Sequence, residues 1–207
     1  MMCFCAQDHG GSNSCMLAAP NVSISNATPS CVSLLRSFNE DIGMNIGWFS
    51  LYCRAHGHDV AAFEPNPVMF LRMCESLEYN QWGEYGDNDN SVSLWKYGVG
   101  VEKGFFNLTT GNNPGGSSFL EDRLAKKFRR TVPVEVTTLD TVAMKQGWYD
   151  RKVSMLKVDV EGFEPYVFEG GKRFLHEGHV EHILMESSVT DITKGKLISI
   201  IRFLSSG

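Results

Sequence analysis

No stretch of this chain reaches the ~18 consecutive apolar residues that would span a bilayer, so no membrane-crossing helix is expected. Its first residues, "MMCFCAQDHGGSNSC", lack both the basic region and the continuous apolar run of a secretory signal; a cytoplasmic protein with no membrane partner is the expectation. Positive charge is not in excess either. The formal net charge is −5, and charged residues make up 21% of the chain, which argues against a polycation built for phosphate backbones and against an acidic disordered tail. Nucleic acid is therefore not an expected partner. The six cysteines, at 3, 5, 15, 31, 53 and 74, lack the paired spacing of tetrahedral zinc ligands, and Cys3-x-Cys5 with His9 is a poor match; they read as free thiols, with no metal site. Internal repeats and low-complexity tracts are missing, as is the dinucleotide fingerprint G-x-G-x-x-G.

What is present suits one globular domain, since 207 residues at 43% hydrophobic can bury a core. Residues 1–30, rich in Ser, Asn, Pro and Gly, read as a poorly ordered tail, and 31–207 as the domain. "DVAAFE" (59–64) is a short strand candidate running into "PNPVMFLRMCESLEYN", where Asn66 can cap a helix and Pro67 sits at its first position, which needs no N–H donor. Phe70, Met73, Cys74 and Leu77 then recur at helical spacing. "SVSLWKYGV" (91–99), "VSMLKVDV" (153–160) and "EHILMES" (181–187) read as further strands. "TVPVEVTTL" (131–139) alternates like a strand with one wet face near an edge. "SFLEDRLAKKFRR" (118–130) and "KGKLISIIRFLSSG" (194–207) carry helical stripes. Strands alternating with helices imply a mostly parallel α/β sheet covered on both faces.

In such sheets ligands bind beyond the carboxyl ends of the strands, where helix N-termini face the crevice. Three sets of residues end strands. "DIGMNIGWFSLYCRAHG" offers Asp41, Gly43, Asn45 and Gly47 in a glycine turn opening a helix, with Ile46, Phe49 and Cys53 on one face and Gly57 as the stop. Glu64 ends the next strand about 20 residues on, where a carboxylate can accept both hydrogen bonds of a ribose diol. "LKVDVEGFEPYVFEGG" sets Lys157, Asp159 and Glu161 at alternate positions, so both carboxylates share a face near the strand's mouth. For each set the plain alternative is structural: a glycine turn, a solvated Glu, a helix cap or an ion pair with Lys157.

Taken together, "DIGMNIGWFSL", "AFEPNPVMFLRMCESLEYN", "VTTLDTV" and "LKVDVEGFEPYVFEGG" resemble the successive signatures of the FkbM-type methyltransferases, from about Asp41 to Ser187. The resemblance implies the three-layer αβα Rossmann-like fold of class I methyltransferases, S-adenosylmethionine as cofactor, and O-methylation of a hydroxyl on a sugar or small metabolite. It implies that Asp41, Gly43, Asn45 and Gly47 surround the methionine part of the cofactor, that Glu64 binds the ribose with Asn66 beside it, and that Asp159 and Glu161 lie near the methyl group as the catalytic pair. A sulfonium is cationic, which suits carboxylates, and an acceptor hydroxyl benefits from a base. Two departures accompany it. Arg36, Asn39 and Glu40 interrupt the apolar run expected of a doubly buried first strand. The two strands that usually follow the fifth are not visible, so 181–187 is expected at an open edge of a C-terminally truncated domain. A non-catalytic relative that keeps the fold is the alternative to an active enzyme; a nicotinamide-dependent oxidoreductase would share Glu64 but needs the tighter glycine fingerprint.

Overall fold

The computed structural model describes residues 2–4, 13–18, 38–82, 92–110 and 130–187, with 2–4, 13–18 and 186–187 as backbone only. In chain order the strands are β1 (Met2–Phe4), β2 (Asn13–Ala18), β3 (Phe38–Ile42), β4 (Val60–Phe63), β5 (Val92–Trp95), β6 (Gly98–Val99), β7 (Gly104–Thr110), β8 (Arg130–Thr137), β9 (Lys152–Val158), β10 (His179–Val180) and β11 (His182–Ser187). The helices are α1 (Trp48–Ala55), α2 (Pro67–Tyr79), α3 (Leu139–Gln146), α4 (Glu164–Gly170) and α5 (Lys172–Glu177). The helical stripes expected at 118–130 and 194–207 lie outside the described residues, except for Arg130, which opens β8. None of the described helices is long and apolar enough to cross a membrane.

The main sheet has the order β1-β2-β11-β9-β3-β4-β5, with β10 also paired to β9. Strands β5, β4, β3, β9 and β11 run parallel, as the alternation of strand and helix implied. Helices cover both faces because successive residues point to opposite sides. Ala61, Phe63, Leu156 and Val158 pack with Val142, Trp148, Val167, Phe168 and Phe174 on one side. Val60, Ala62 and Met155 pack with Cys53, Met73 and Leu77 on the other. This is the three-layer α/β architecture. At α2 the local signals operate as read: Asn66 Oδ1 accepts from the Val68 N–H at 2.9 Å, and Pro67 opens the helix. The buried stripe is Met69, Met73 and Leu77, so the inward face is rotated by one residue from the expected one, and Phe70 and Cys74 sit at its margin.

A second sheet, β6-β8-β7, stands apart from the first. The stretch read as a single strand over 91–99 is split between the two sheets, with β5 in one and β6 in the other. Along β8, residues 130–137, Val134 and Val136 are buried while Pro133 and Glu135 are exposed. Pro133 is tolerated because β6 pairs only with Val136 and Thr137, which leaves β8 without a partner strand on that side at Pro133 among the described residues.

Two expectations are corrected. Residues 13–18 are not part of an unstructured tail: β2 pairs antiparallel with β11 over its whole length, Leu17 opposite Ile183 and Cys15 opposite Met185, and β1 pairs antiparallel with β2. The edge expected to be open at 181–187 is thereby covered. Such pairing satisfies a row of backbone donors and acceptors that an edge strand exposes. It left no mark in the sequence because a three-residue and a six-residue strand set among Gly, Ser and Asn carry too little periodicity.

The second correction concerns the centre. Despite Asn39 and Glu40, β3 is an interior strand, the middle of the five parallel ones, flanked by β4 and β9, and all five of its residues are buried. The register shifts between Phe38 and Asn39, and the Asn39 amide reaches the Asp59 carbonyl oxygen at 3.4 Å. Glu40 is fully buried opposite Ala61 and Leu156, and neither carboxyl oxygen has a hydrogen-bond partner among the described residues. Burial pushes its pKa up to about 8, against a smaller opposing pull from Arg151, so the group is carried as a neutral acid at neutral pH.

Glu40→Met should therefore stabilise the fold by about 1–3 kcal/mol, the usual cost of an unsatisfied buried polar group. The sign of the pH dependence follows from a folded pKa above the unfolded one. Glu40's contribution is fully retained below about pH 4.5 and declines as pH rises toward 8, by at most about 1.4 kcal/mol per pH unit, and levels off above it. Urea denaturation of both proteins across that range should show their difference widening with pH. A constant or shrinking difference would contradict the assignment.

Candidate active site

The sheet register sets the site. Asp41 lies level with Ala62 of β4 and Lys157 of β9, and Ile42 with Phe63 and Val158, so Gly43, Glu64 and Asp159 leave three adjacent strands at one height. The strand ends are tied together: the Gly43 and Met44 N–H groups both donate to the Phe63 carbonyl at 3.0 Å, and the Asp159 N–H donates to the Ile42 carbonyl at 3.0 Å. Gly43 is required at this junction. Its φ is +82°, and a Cβ there would lie 1.9 Å from the Asp159 carbonyl oxygen. Gly47, at φ +87°, has the same need, because a Cβ would meet the Met73 sulfur of α2 at 2.1 Å. These glycines admit the neighbouring chain. Ile46 is 54% exposed and precedes α1, so it is not on the buried helical face with Cys53.

Glu64 joins two loops. Its Oε1 accepts from the Asn66 N–H at 2.8 Å and its Oε2 from the Asn45 N–H at 2.9 Å. Burial pushes its pKa up to about 7, the two N–H donors pull the other way, and Asp41 and Lys157 add smaller opposed effects. Asn45 itself is left-handed, with φ +54°. The Asn66 side chain is spent on capping α2, so the two asparagines contribute backbone donors to Glu64.

On the other side of β3, Asp41 is completely buried; its Oδ2 accepts from Ser50 Oγ of α1 at 2.6 Å and its Oδ1 from Lys157 Nζ at 3.1 Å. Lys157 also donates to the Gly43 carbonyl at 3.2 Å and pairs with Asp159 Oδ2 at 3.3 Å. Beyond Asp159 the chain turns sharply, with Glu161 at φ +54° and Gly162 at φ +91°. A left-handed glutamate is strained by about 1–2 kcal/mol. Glu164 braces the turn, its Oε1 accepting from the Val160 N–H at 3.2 Å and the Gly162 N–H at 3.1 Å. Burial, then Asp159 and Glu164, raise the pKa of Glu161. That of Glu164 is raised by burial despite its N–H donors.

The residues singled out in the sequence are thus gathered at the carboxyl ends of β3, β4 and β9. Ser50 and Glu164 are the additional members, and Lys157 makes the ion pair with Asp159 that the sequence offered as the plain alternative. Glu164 had one signal, an acid in the first turn of a helix with Pro165 beside it; Ser50 had none. Chemically the rim is rich in acceptors, with Asp159 35% exposed and Glu64 using two of the roughly four acceptor positions a carboxylate offers. That set of acceptors fits a ligand carrying a cation and a diol. Among the described residues no cluster of His, Cys, Asp and Glu suits a metal ion.

The comparisons with known proteins first define a class, the methyltransferases. Residues 41–205 match the Methyltransferase FkbM domain. "Methyltransferase 1" of Beauveria bassiana (strain ARSEF 2860) is 31% identical over 152 residues, covering 65% of this chain and 58% of its own length. "Methyltransferase sdnD" of Sordaria araneosa is 30% identical over 161 residues, covering 64% of this chain and 60% of its own. The chain thus spans about three-fifths of the length of these relatives. A crystal structure of Methyltransferase FkbM from Methylobacillus flagellatus KT, 15% identical, superimposes with a TM-score of 0.42, covering 68% of this chain and 30% of that one. The chain belongs to the FkbM methyltransferase family.

Gly43→Ala should destabilise the fold by about 2–4 kcal/mol, since the new methyl group must displace backbone and the φ is unfavourable to any L side chain. Chemical denaturation measures this. Stability within 0.5 kcal/mol of the parent, about what a surface substitution costs, would show that the two strand ends are not held together as described.

Proposed function

We propose that this chain binds S-adenosylmethionine and methylates a hydroxyl group on a sugar or small metabolite. The observation that carries the reading is the convergence of Asp41, Glu64, Asp159 and Glu161 at the ends of three adjacent strands in a chain of this family. When bound, S-adenosylmethionine supplies a methyl group carried on a cationic sulfonium. Glu64, held by the Asn45 and Asn66 N–H groups, has acceptor capacity left for a ribose diol. The loop of Gly43, Asn45 and Gly47 borders the methionine portion, with Asp41 anchoring it from below through Ser50 and Lys157. Asp159 is the partly exposed carboxylate nearest Lys157 and adds negative charge beside the cation.

Glu161 is the better base of the acidic pair. Its proton affinity is raised by its surroundings, whereas Asp159 is committed to an ion pair. Its strained backbone is the kind of cost that persists at working sites. The acceptor, a small hydroxylated molecule, is the partner this reading requires.

Calorimetric titration with S-adenosylmethionine and with NAD tests the cofactor: binding of the first and not the second is expected, and the reverse overturns the reading. Glu64→Ala should weaken S-adenosylmethionine binding by about 2 kcal/mol, through two lost charge-assisted hydrogen bonds. In the parent, affinity should rise between pH 6 and 8 as Glu64 ionises, and that part of the rise should vanish in Glu64→Gln. Unchanged affinity in the alanine variant would return Glu64 to a purely structural role.

With an acceptor in hand, Glu161→Gly should lower turnover by about 10²–10⁴-fold, the usual contribution of a general base. Its melting temperature should not fall, because glycine accepts the left-handed backbone. Asp159→Asn should likewise slow turnover more than it alters folding. Loss of folding in step with loss of rate would assign either residue to structure instead.

A further inference from the structure

Lys157 is the one cation in contact with this acidic rim among the described residues, and every direction its ammonium faces is specified. Three acceptors match its three N–H groups: Asp41 Oδ1 at 3.1 Å, the Gly43 carbonyl at 3.2 Å and Asp159 Oδ2 at 3.3 Å. The two carboxylates are not equivalent. Asp41 has no exposed surface and its second oxygen is occupied by Ser50, so its charge is wholly internal. Asp159 keeps 35% of its side chain exposed and opens toward the rim. Burial alone would push the lysine's pKa down; Asp41 and Asp159 more than reverse this and hold it above the usual value, so the ammonium persists at working pH.

We propose that Lys157 is a positioning residue that tunes the charge of the cofactor site: by offsetting one of the two carboxylates it touches, it leaves the Asp41–Lys157–Asp159 group with a single net negative charge, which limits how strongly the site prefers a cationic ligand to its neutral counterpart. This rests on the methyltransferase reading, in which the ligand arrives as a sulfonium and departs as a thioether of nearly the same shape. The two differ by one charge. With Lys157 present, this group presents one net negative charge to the cation. Without it the same group would present two, while the neutral product would be bound as before. Lys157 thus limits the electrostatic preference that distinguishes entering from leaving ligand.

The experiment is calorimetric binding of S-adenosylmethionine and S-adenosylhomocysteine to the full chain and three variants, read as the ratio of the two dissociation constants. Lys157→Met should raise the preference for the cation about tenfold, the size expected for one added charge several ångströms away in a partly screened site. Asp41→Asn should lower it. Asp41→Asn combined with Lys157→Met restores one net negative charge and should return the ratio to within about twofold of the parent.

Lys157→Met strands the buried Asp41 carboxylate, so that single variant can fail to fold. The comparison of Asp41→Asn with the double variant, which differ by the lysine charge alone, then carries the test, with a higher ratio expected in the double. A ratio that stays constant across the folded variants, even where both affinities drop together, assigns Lys157 to structure and overturns the proposal while leaving the cofactor reading intact. A parent chain that binds neither ligand overturns the cofactor reading, and this proposal with it.

Discussion

Where β3 and β9 end, the two backbones come close enough that Gly43 has no room for a side chain. The contact is sealed by the Asp159 N–H on the Ile42 carbonyl and by Lys157, which reaches Asp41, Gly43 and Asp159 at once. Without this closure the acidic turn at Asp159–Glu164 would have no fixed height relative to the glycine loop. Glu64 would then be joined to only one side of the rim. The same junction limits what the sequence can vary, because it combines a backbone contact, a left-handed glycine and a buried ion pair in a few residues. Truncating either partner of such a pair leaves a charge without compensation.

The centre of the sheet shows a different compromise. Strand β3 carries three consecutive polar residues at zero exposure, and each is handled in its own way. Asn39 bonds to the backbone at Asp59; Asp41 is paired with Lys157 and Ser50. Glu40 faces the apolar side beside Ala61 and Leu156 and is accommodated by keeping its proton. Nothing in the structure explains why an acid stands at position 40.

What the sequence made legible was local. "VAAF" and "VSMLKV" read as buried strands because doubly covered parallel strands are continuously apolar, and Asn66-Pro67 read as a helix start because the cap and the missing N–H act within three residues. The rim acids were legible as residues that end strands. What stayed hidden depended on distant partners. Lys157 gains its role from Asp41, 116 positions away, and β2 exists only by virtue of β11. The buried polar run in β3 misled because it breaks the rule by which central strands are recognised. The glycine loop was located correctly, but the neighbour it accommodates is Asp159 and Met73, which only packing reveals.

The pairing of β2 with β11 has a consequence for the order of assembly. Leu17 and Ile183 are register partners 166 positions apart, so β2 is synthesised long before the strand it pairs with. Closing so long a loop is entropically costly, and contacts of high sequence separation form late. The parallel strands from β3 to β11 can gather around their own hydrophobic contacts first. Until then the edge of β2 that faces β11 is unpaired, available to another molecule's open edge as readily as to its own. Exchange of this N-terminal ribbon between two molecules would reproduce the same strand order in a domain-swapped pair.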